Sequence, residues 1–157
     1  MSWDASMGRP RRRRNVLNPF QKIDSEWRAR EAAGGSGVSA GLIAFMHAIS
    51  ALVRFNDERH SALISSSPVV LGLFNAMLAL IAAVAGYVAY RRHPVWLAWV
   101  ILGWSVLEAL PWITYPLYGH AAWGAPLVGL MVVCGLLGVR GARALKKGFA
   151  QDAEVFA

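Results

Sequence analysis

The chain has 157 residues, of which 56% are apolar and only 16% charged, with a net charge of +7; an average soluble domain carries roughly 25% charged residues. A positive mean hydropathy of +0.40 beside a pI of about 10.3 conflicts for a soluble globule and agrees for a membrane protein whose charges sit at the ends of its apolar segments. A soluble enzyme and a disordered basic tail are excluded. The single Cys excludes an internal disulfide framework and a Cys-built zinc or iron–sulfur site.

Residues 1–37 read as a basic N-terminal segment. Arg11, Arg12, Arg13 and Arg14, preceded by Arg9 and Pro10, form a cationic cluster. A secretory signal would place its apolar core directly after such a cluster. Here no apolar run begins before Val38, so a retained N-terminus is expected. Asn18 followed by Pro19 is a helix start, because Asn caps and Pro at the first helical position gives up an N–H that lacks a partner anyway. Phe20, Ile23 and Trp27 then recur at helical spacing among charged neighbours, which predicts a short amphipathic helix in the membrane interface. Gly34-Gly35-Ser36-Gly37 is expected to end that helix and supply a flexible joint.

Four apolar spans follow, at about 38–55, 68–90, 94–118 and 121–139. Ser67 and Pro68 read as the cap and first residue of the second. At about 1.5 Å per residue these segments reach roughly 27 to 38 Å, which brackets a hydrocarbon core of about 30 Å. Short connections make neighbouring spans antiparallel. The predicted fold is all-α: an integral membrane four-helix bundle, up-down-up-down, with the N-terminal interfacial helix before it and a basic C-terminal tail over 140–157.

Orientation follows from the cations. With the N-terminus cytoplasmic, fourteen of the 16 Lys and Arg fall on the inner side and only Arg54 and Arg59 on the outer. Such a split satisfies the positive-inside rule, so both termini are expected in the cytoplasm; the expected location is a cell membrane of the bacterial inner-membrane kind. Tyr87, Tyr90, Trp96 and Trp99 would mark the inner interface, and Trp112, Tyr115, Tyr118 and Trp123 the outer.

Glu108 is the one carboxylate inside a span. An acidic group at mid-helix costs about 2.5 to 3.5 kcal/mol even on lenient insertion scales, so it requires a partner, a proton or water. Trp104, Ser105, Pro111, Trp112 and Tyr115 lie within two turns of it, and Pro111 cannot donate to the carbonyl of Leu107. Glu108 walled by Trp104, Trp112 and Tyr115 suits a proton or a cation; held neutral or hydrogen-bonded, it would only set helix register. His47 on the first span and Asn75 on the second fall at nearly the same depth, so three polar groups on three helices share one expected layer. His60, His93 and His120 all sit at span ends, which leaves His47 without an opposing ligand for haem, and no cofactor or metal is expected.

On the second span Gly72, Ala76, Ala79, Ala83 and Gly86 form a small-residue stripe, and Cys134, Gly138 and Ala142 form another on the fourth; both predict close helix contacts. Cys134 is expected to pack rather than react, since no base stands near it in sequence. The arginine cluster lacks interleaved aromatics and any nucleic-acid fold signature, so anionic lipid head groups are its expected partner and nucleic acid is not. The functional expectation is a non-enzymatic accessory, assembly or scaffold subunit that meets a membrane protein partner or a second copy of itself. The alternative is a small proton-coupled carrier of a cationic substrate that uses Glu108.

Overall fold

A computed structural model describes residues 23, 25–55, 67–114 and 121–155, with side chains placed for 111 and earlier and for 125–148 within those ranges. Arg11, Arg12, Arg13, Arg14, Asn18, Pro19 and Phe20 lie outside the described residues, as do Tyr115, Tyr118 and the side chains of Trp112 and Trp123. The described chain is helical: α1 (Glu26–Ala33), α2 (Gly35–Phe55), α3 (Pro68–Arg92), α4 (Val95–Thr114) and α5 (Ala121–Val155). Three stretches are long and apolar enough to cross a membrane, Glu26–Phe55, Pro68–Arg92 and Ala125–Gly148, and Val95–Pro111 is a shorter apolar helix. In lipid a helix satisfies its backbone groups within the segment, which is why apolar runs of this length take that form.

The first difference from expectation lies at the N-terminal junction. Among the described residues the helix starts at Glu26, where Ser25 is extended and its side chain accepts from the Arg28 N–H; Ile23, expected within the helix, precedes it, and the expected start at Asn18 lies outside the described residues. Its first turns are tied by an exposed Arg30–Glu26 ion pair at 2.7 Å. The four-residue joint does not interrupt the chain's course. Gly34 keeps right-handed helical angles, and hydrogen bonds run on through it from Gly34 N–H to the Arg30 carbonyl and from Val38 N–H to the Gly34 carbonyl. Thus α2 begins at Gly35, three residues earlier than the first predicted span, as an almost direct continuation of α1.

The physical reason is packing against α5. A methyl group at Gly35 would lie 2.5 Å from the Cys134 carbonyl oxygen, one at Gly138 would overlap Ser36, and one at Gly141 would meet the backbone of Ala29, Ala32 and Ala33. Glycines on both helices let the two backbones touch, so residues that loosen an isolated chain serve here as a contact surface. Ala29, Ala33 and Ser36 are buried in the same seam while Trp27 stays 66% exposed.

The second difference is at the other end. The expected C-terminal tail is helical, since α5 runs unbroken to Val155 over 35 residues. At about 1.5 Å per residue it is roughly 52 Å long, well beyond a hydrocarbon core of about 30 Å. Its C-terminal half carries Arg140, Arg143, Lys146 and Lys147 and packs against α1 through Gly141. Arg143 lies over the Trp99 ring at 5.1 Å and Arg91 over Tyr87 at 5.8 Å, cation–π pairings that suit an aqueous boundary. Tyr87, Tyr90, Trp96 and Trp99 are all exposed in this region.

Between α3 and α4 the turn is as short as the sequence predicts. Ser67 accepts from the Val69 N–H with Pro68 in the first turn of α3, and His93 closes that helix in the left-handed region at φ 49°. Gly72 meets Phe55 and Gly86 meets Ala40, so α3 runs against α2. Leu102 meets Gly135, while Ala98 shares a cluster with Val139 and Ala142, so α5 runs against α4. Helix α2 is the hub that touches α3, α4 and α5.

The small-residue stripe on α3 is displaced by one column from the predicted one. Gly72, Ala82, Gly86 and Ala89 are its buried residues, and Ala83 is exposed. Gly72 and Gly86 belong to either reading of this alanine-rich helix; the column that faces inward is the one that carries Asn75.

Candidate functional site

His47, Asn75 and Glu108 meet, each from a different helix. His47 Nε2 lies 3.1 Å from Glu108 Oε1, and His47 Nδ1 lies 3.0 Å from Asn75 Oδ1. Trp104, one turn before Glu108 on α4, donates its indole N–H to the same Oε1 at 3.1 Å. Asn75 in turn donates its amide to the Leu71 carbonyl at 2.9 Å, four residues back on α3. The result is a chain of polar contacts from the α3 backbone through Asn75, the imidazole and the carboxyl group to the indole.

Helix geometry accounts for each position. Trp104 and Glu108 are four apart, which puts both on one face of α4. The His47 and Trp104 rings are 5.9 Å apart at 48°. Trp104 also packs on the apolar cluster of Ile43, Ala82, Ala109, Val128 and Met131, which places dry side chains from α2, α3, α4 and α5 beneath the polar groups. The His47 side chain is 12% exposed and that of Glu108 28%. The carboxyl group thus has one oxygen shared by the Trp104 N–H and His47 Nε2, and part of its side chain stays exposed.

Of the aromatic wall expected around Glu108, Trp104 is in place as a hydrogen-bond donor as well as a ring. The Trp112 side chain and Tyr115 fall outside what is described. Pro111 lies within α4. Among the described residues no group of three His, Cys, Asp or Glu is arranged to hold a metal ion.

A second polar contact sits deeper and was not singled out as a site. Ser39 and Ser105, both fully buried, approach to 2.7 Å between α2 and α4. Ser105 donates its one proton to the Ile101 carbonyl at 2.8 Å, so Ser39 is the donor between the two. Counted from the predicted span starts, the two serines differ by about 15 Å in depth, and residue counting alone therefore keeps them apart. In the structure the two serines nonetheless meet between α2 and α4. Cys134 is buried on α5, with its carbonyl against Gly35, a packing position.

No protein-family model, curated protein or solved structure matches this chain. The functional reading therefore rests on its own residues.

Proposed function

We propose that this chain is a four-span membrane protein, an up-down-up-down bundle of α2 to α5, that acts as an accessory, assembly or scaffold subunit of a larger membrane complex. Helix α4, at 20 residues, reaches about 30 Å and suffices as the fourth span. The distribution of Lys and Arg supports a cytoplasmic location for both termini, in a membrane of the bacterial inner-membrane kind. Arg11 to Arg14, together with the basic end of α5, suit anionic head groups at that surface, and Trp27 suits the interface beside them.

One observation carries the subunit reading. Helix α3 meets the rest of the chain through a narrow small-residue stripe and leaves Leu73, Phe74, Met77, Leu80, Ile81 and Val84 exposed on the rest of its circumference. That broad apolar surface is free to meet lipid or another span. Purification in a mild detergent followed by native mass spectrometry tests the reading. A stoichiometric complex with another membrane protein, or a defined homo-oligomer, is expected. A lone monomer that retains bound lipid would contradict it.

The polar cluster favours a second reading, a small proton-coupled carrier of a cationic substrate. Its support is that Glu108 has Oε1 anchored by His47 and Trp104 while 28% of the side chain stays exposed; an aromatic ring beside a carboxyl group suits an organic cation. In proteoliposomes a Glu108→Gln protein that folds normally would lose proton-driven uptake of an organic cation. Absence of uptake by the wild-type protein across a panel of such cations would contradict this reading.

A further inference from the structure

The amide of Asn75 has a direction. Its nitrogen faces the Leu71 carbonyl at 2.9 Å, and a carbonyl oxygen only accepts; turning the amide over would set oxygen against oxygen. The atom that faces His47 is therefore Oδ1, again an acceptor only. For the 3.0 Å contact between it and Nδ1 to be a hydrogen bond, Nδ1 must carry a proton. That conclusion follows from the donor and acceptor inventory alone and holds whether the imidazole is neutral or charged.

The consequence falls on the far side of the ring. Once Nδ1 is protonated, the 3.1 Å line between Nε2 and Glu108 Oε1 holds one proton. With none, two lone pairs would face each other. With the proton on nitrogen, an imidazolium meets a carboxylate; with the proton on oxygen, a neutral imidazole accepts from a carboxylic acid. Both forms are neutral overall, which is the condition a polar pair has to meet in hydrocarbon. The Trp104 N–H on the same oxygen at 3.1 Å strengthens the form with the carboxylate, since hydrogen bonds to ionised acceptors are roughly twice as strong as neutral ones.

We propose that His47 and Glu108 form a one-proton binding site and that Asn75 is its positioning residue, locking the imidazole so that Nε2 always faces the carboxyl group as the shared position. The inference rests on the intramembrane polar layer described above and adds its proton inventory. No other ionisable group enters the account among the described residues: α2 supplies His47, α3 supplies the uncharged Asn75, α4 supplies Glu108 and Trp104, and α5 supplies Val128 and Met131 to the apolar cluster beside them. The ligand is a proton. Its release leaves the site with one negative charge, and its return restores neutrality.

Nitrogen-15 NMR of the full-length, histidine-labelled protein in lipid bilayers reads the inventory directly, with His47→Gln identifying the signals of His47 among those of His60, His93 and His120. The wild-type protein should show His47 Nδ1 protonated throughout the pH range over which it stays folded. An unprotonated Nδ1 in the wild-type protein would overturn the proposal without any variant. In Asn75→Leu the lock is gone, and toward the alkaline end of that range, where the ring is neutral, an Nε2–H tautomer with bare Nδ1 should appear. In Asn75→Asp, which still presents an oxygen to the ring, Nδ1 should remain protonated. Retention of Nδ1–H on a neutral His47 ring, one with a single protonated nitrogen, in a folded Asn75→Leu would remove Asn75 from the positioning role. Loss of the partner complex in native mass spectrometry would leave these signals unchanged, so failure of the subunit reading and failure of this one are separable.

Discussion

Ser36 rests directly on the Cα of Gly138, so that a methyl group there would overlap its side chain and its backbone nitrogen. This contact joins the start of α2 to the middle of α5 and sets how closely the two helices cross. It turns the glycine-rich joint into a seam where the two backbones touch. Through Gly141 the seam continues onto α1, so the charged first helix is anchored to the long last one.

A substitution at that seam should therefore be costly. Gly138→Ala overpacks a contact with no slack, and overpacking typically costs about 1 to 3 kcal/mol. Gly103→Ala is the control, because nothing stands within 4 Å of a methyl group at that position. Thermal unfolding in detergent should show a lowered midpoint for Gly138→Ala and an unchanged or slightly raised one for Gly103→Ala. Equal midpoints would mean that α2 and α5 do not cross at Ser36.

His93 closes α3 with φ 49° and ψ 39°, a conformation that costs a side-chain-bearing residue about 1 to 2 kcal/mol relative to glycine. Its Nδ1 is also buried without a hydrogen-bond partner. His93→Gly relieves both terms and leaves intact the cap that its N–H makes to the Ala89 carbonyl. A rise in the thermal midpoint is expected, corresponding to a stabilisation on the order of 1 kcal/mol. A fall would show that the imidazole makes a favourable contact of its own.

The topology is open to reporter fusions. Fusions after Arg92 and after Ala157 should report a cytoplasmic location and one near Asp57 an external one, as the cation distribution requires. An external C-terminus would reduce the number of spans from four to three.

Much of the helical plan was legible because hydropathy and length measure the requirement that a bilayer imposes. Ser67, Pro68 and a short connection between the second and third spans were legible for a different reason, since caps and prolines act through local geometry, although Arg91 and Arg92 belong to α3 and the connection is only His93 and Pro94. The limits of α1 and α5 were not. Outside the apolar stretch hydropathy falls silent on whether a helix stops. The glycines at 34, 35 and 37 carry the same letters whether they break a helix or let two helices touch; Gly138 and Gly141, a hundred residues away, decide between those meanings. On α3 alanines stand on several columns, so composition alone points to the one through Ala83, whereas Ala82 is the buried residue and Ala83 is exposed. His47, Asn75 and Glu108 could be associated by depth because polar groups in long apolar runs are few. Trp104 was legible as an aromatic neighbour at i−4, whereas its role as a donor to Glu108 required coordinates. Ser39 and Ser105 escaped because serine is unremarkable in a span and their contact depends on the crossing of α2 and α4.

The central claim is that His47 and Glu108 act as one unit across α2 and α4, and a double-mutant cycle tests it most directly. Thermal stability of the wild-type protein, His47→Ala, Glu108→Gln and the double variant would be compared between pH 5 and 9. Residues in direct contact couple by about 0.5 to 3 kcal/mol, whereas independent ones add within about 0.5 kcal/mol. The account predicts that the two single changes are non-additive within this range and that their coupling depends on pH, because each removes a partner of the same proton. Additive losses at every pH would contradict it.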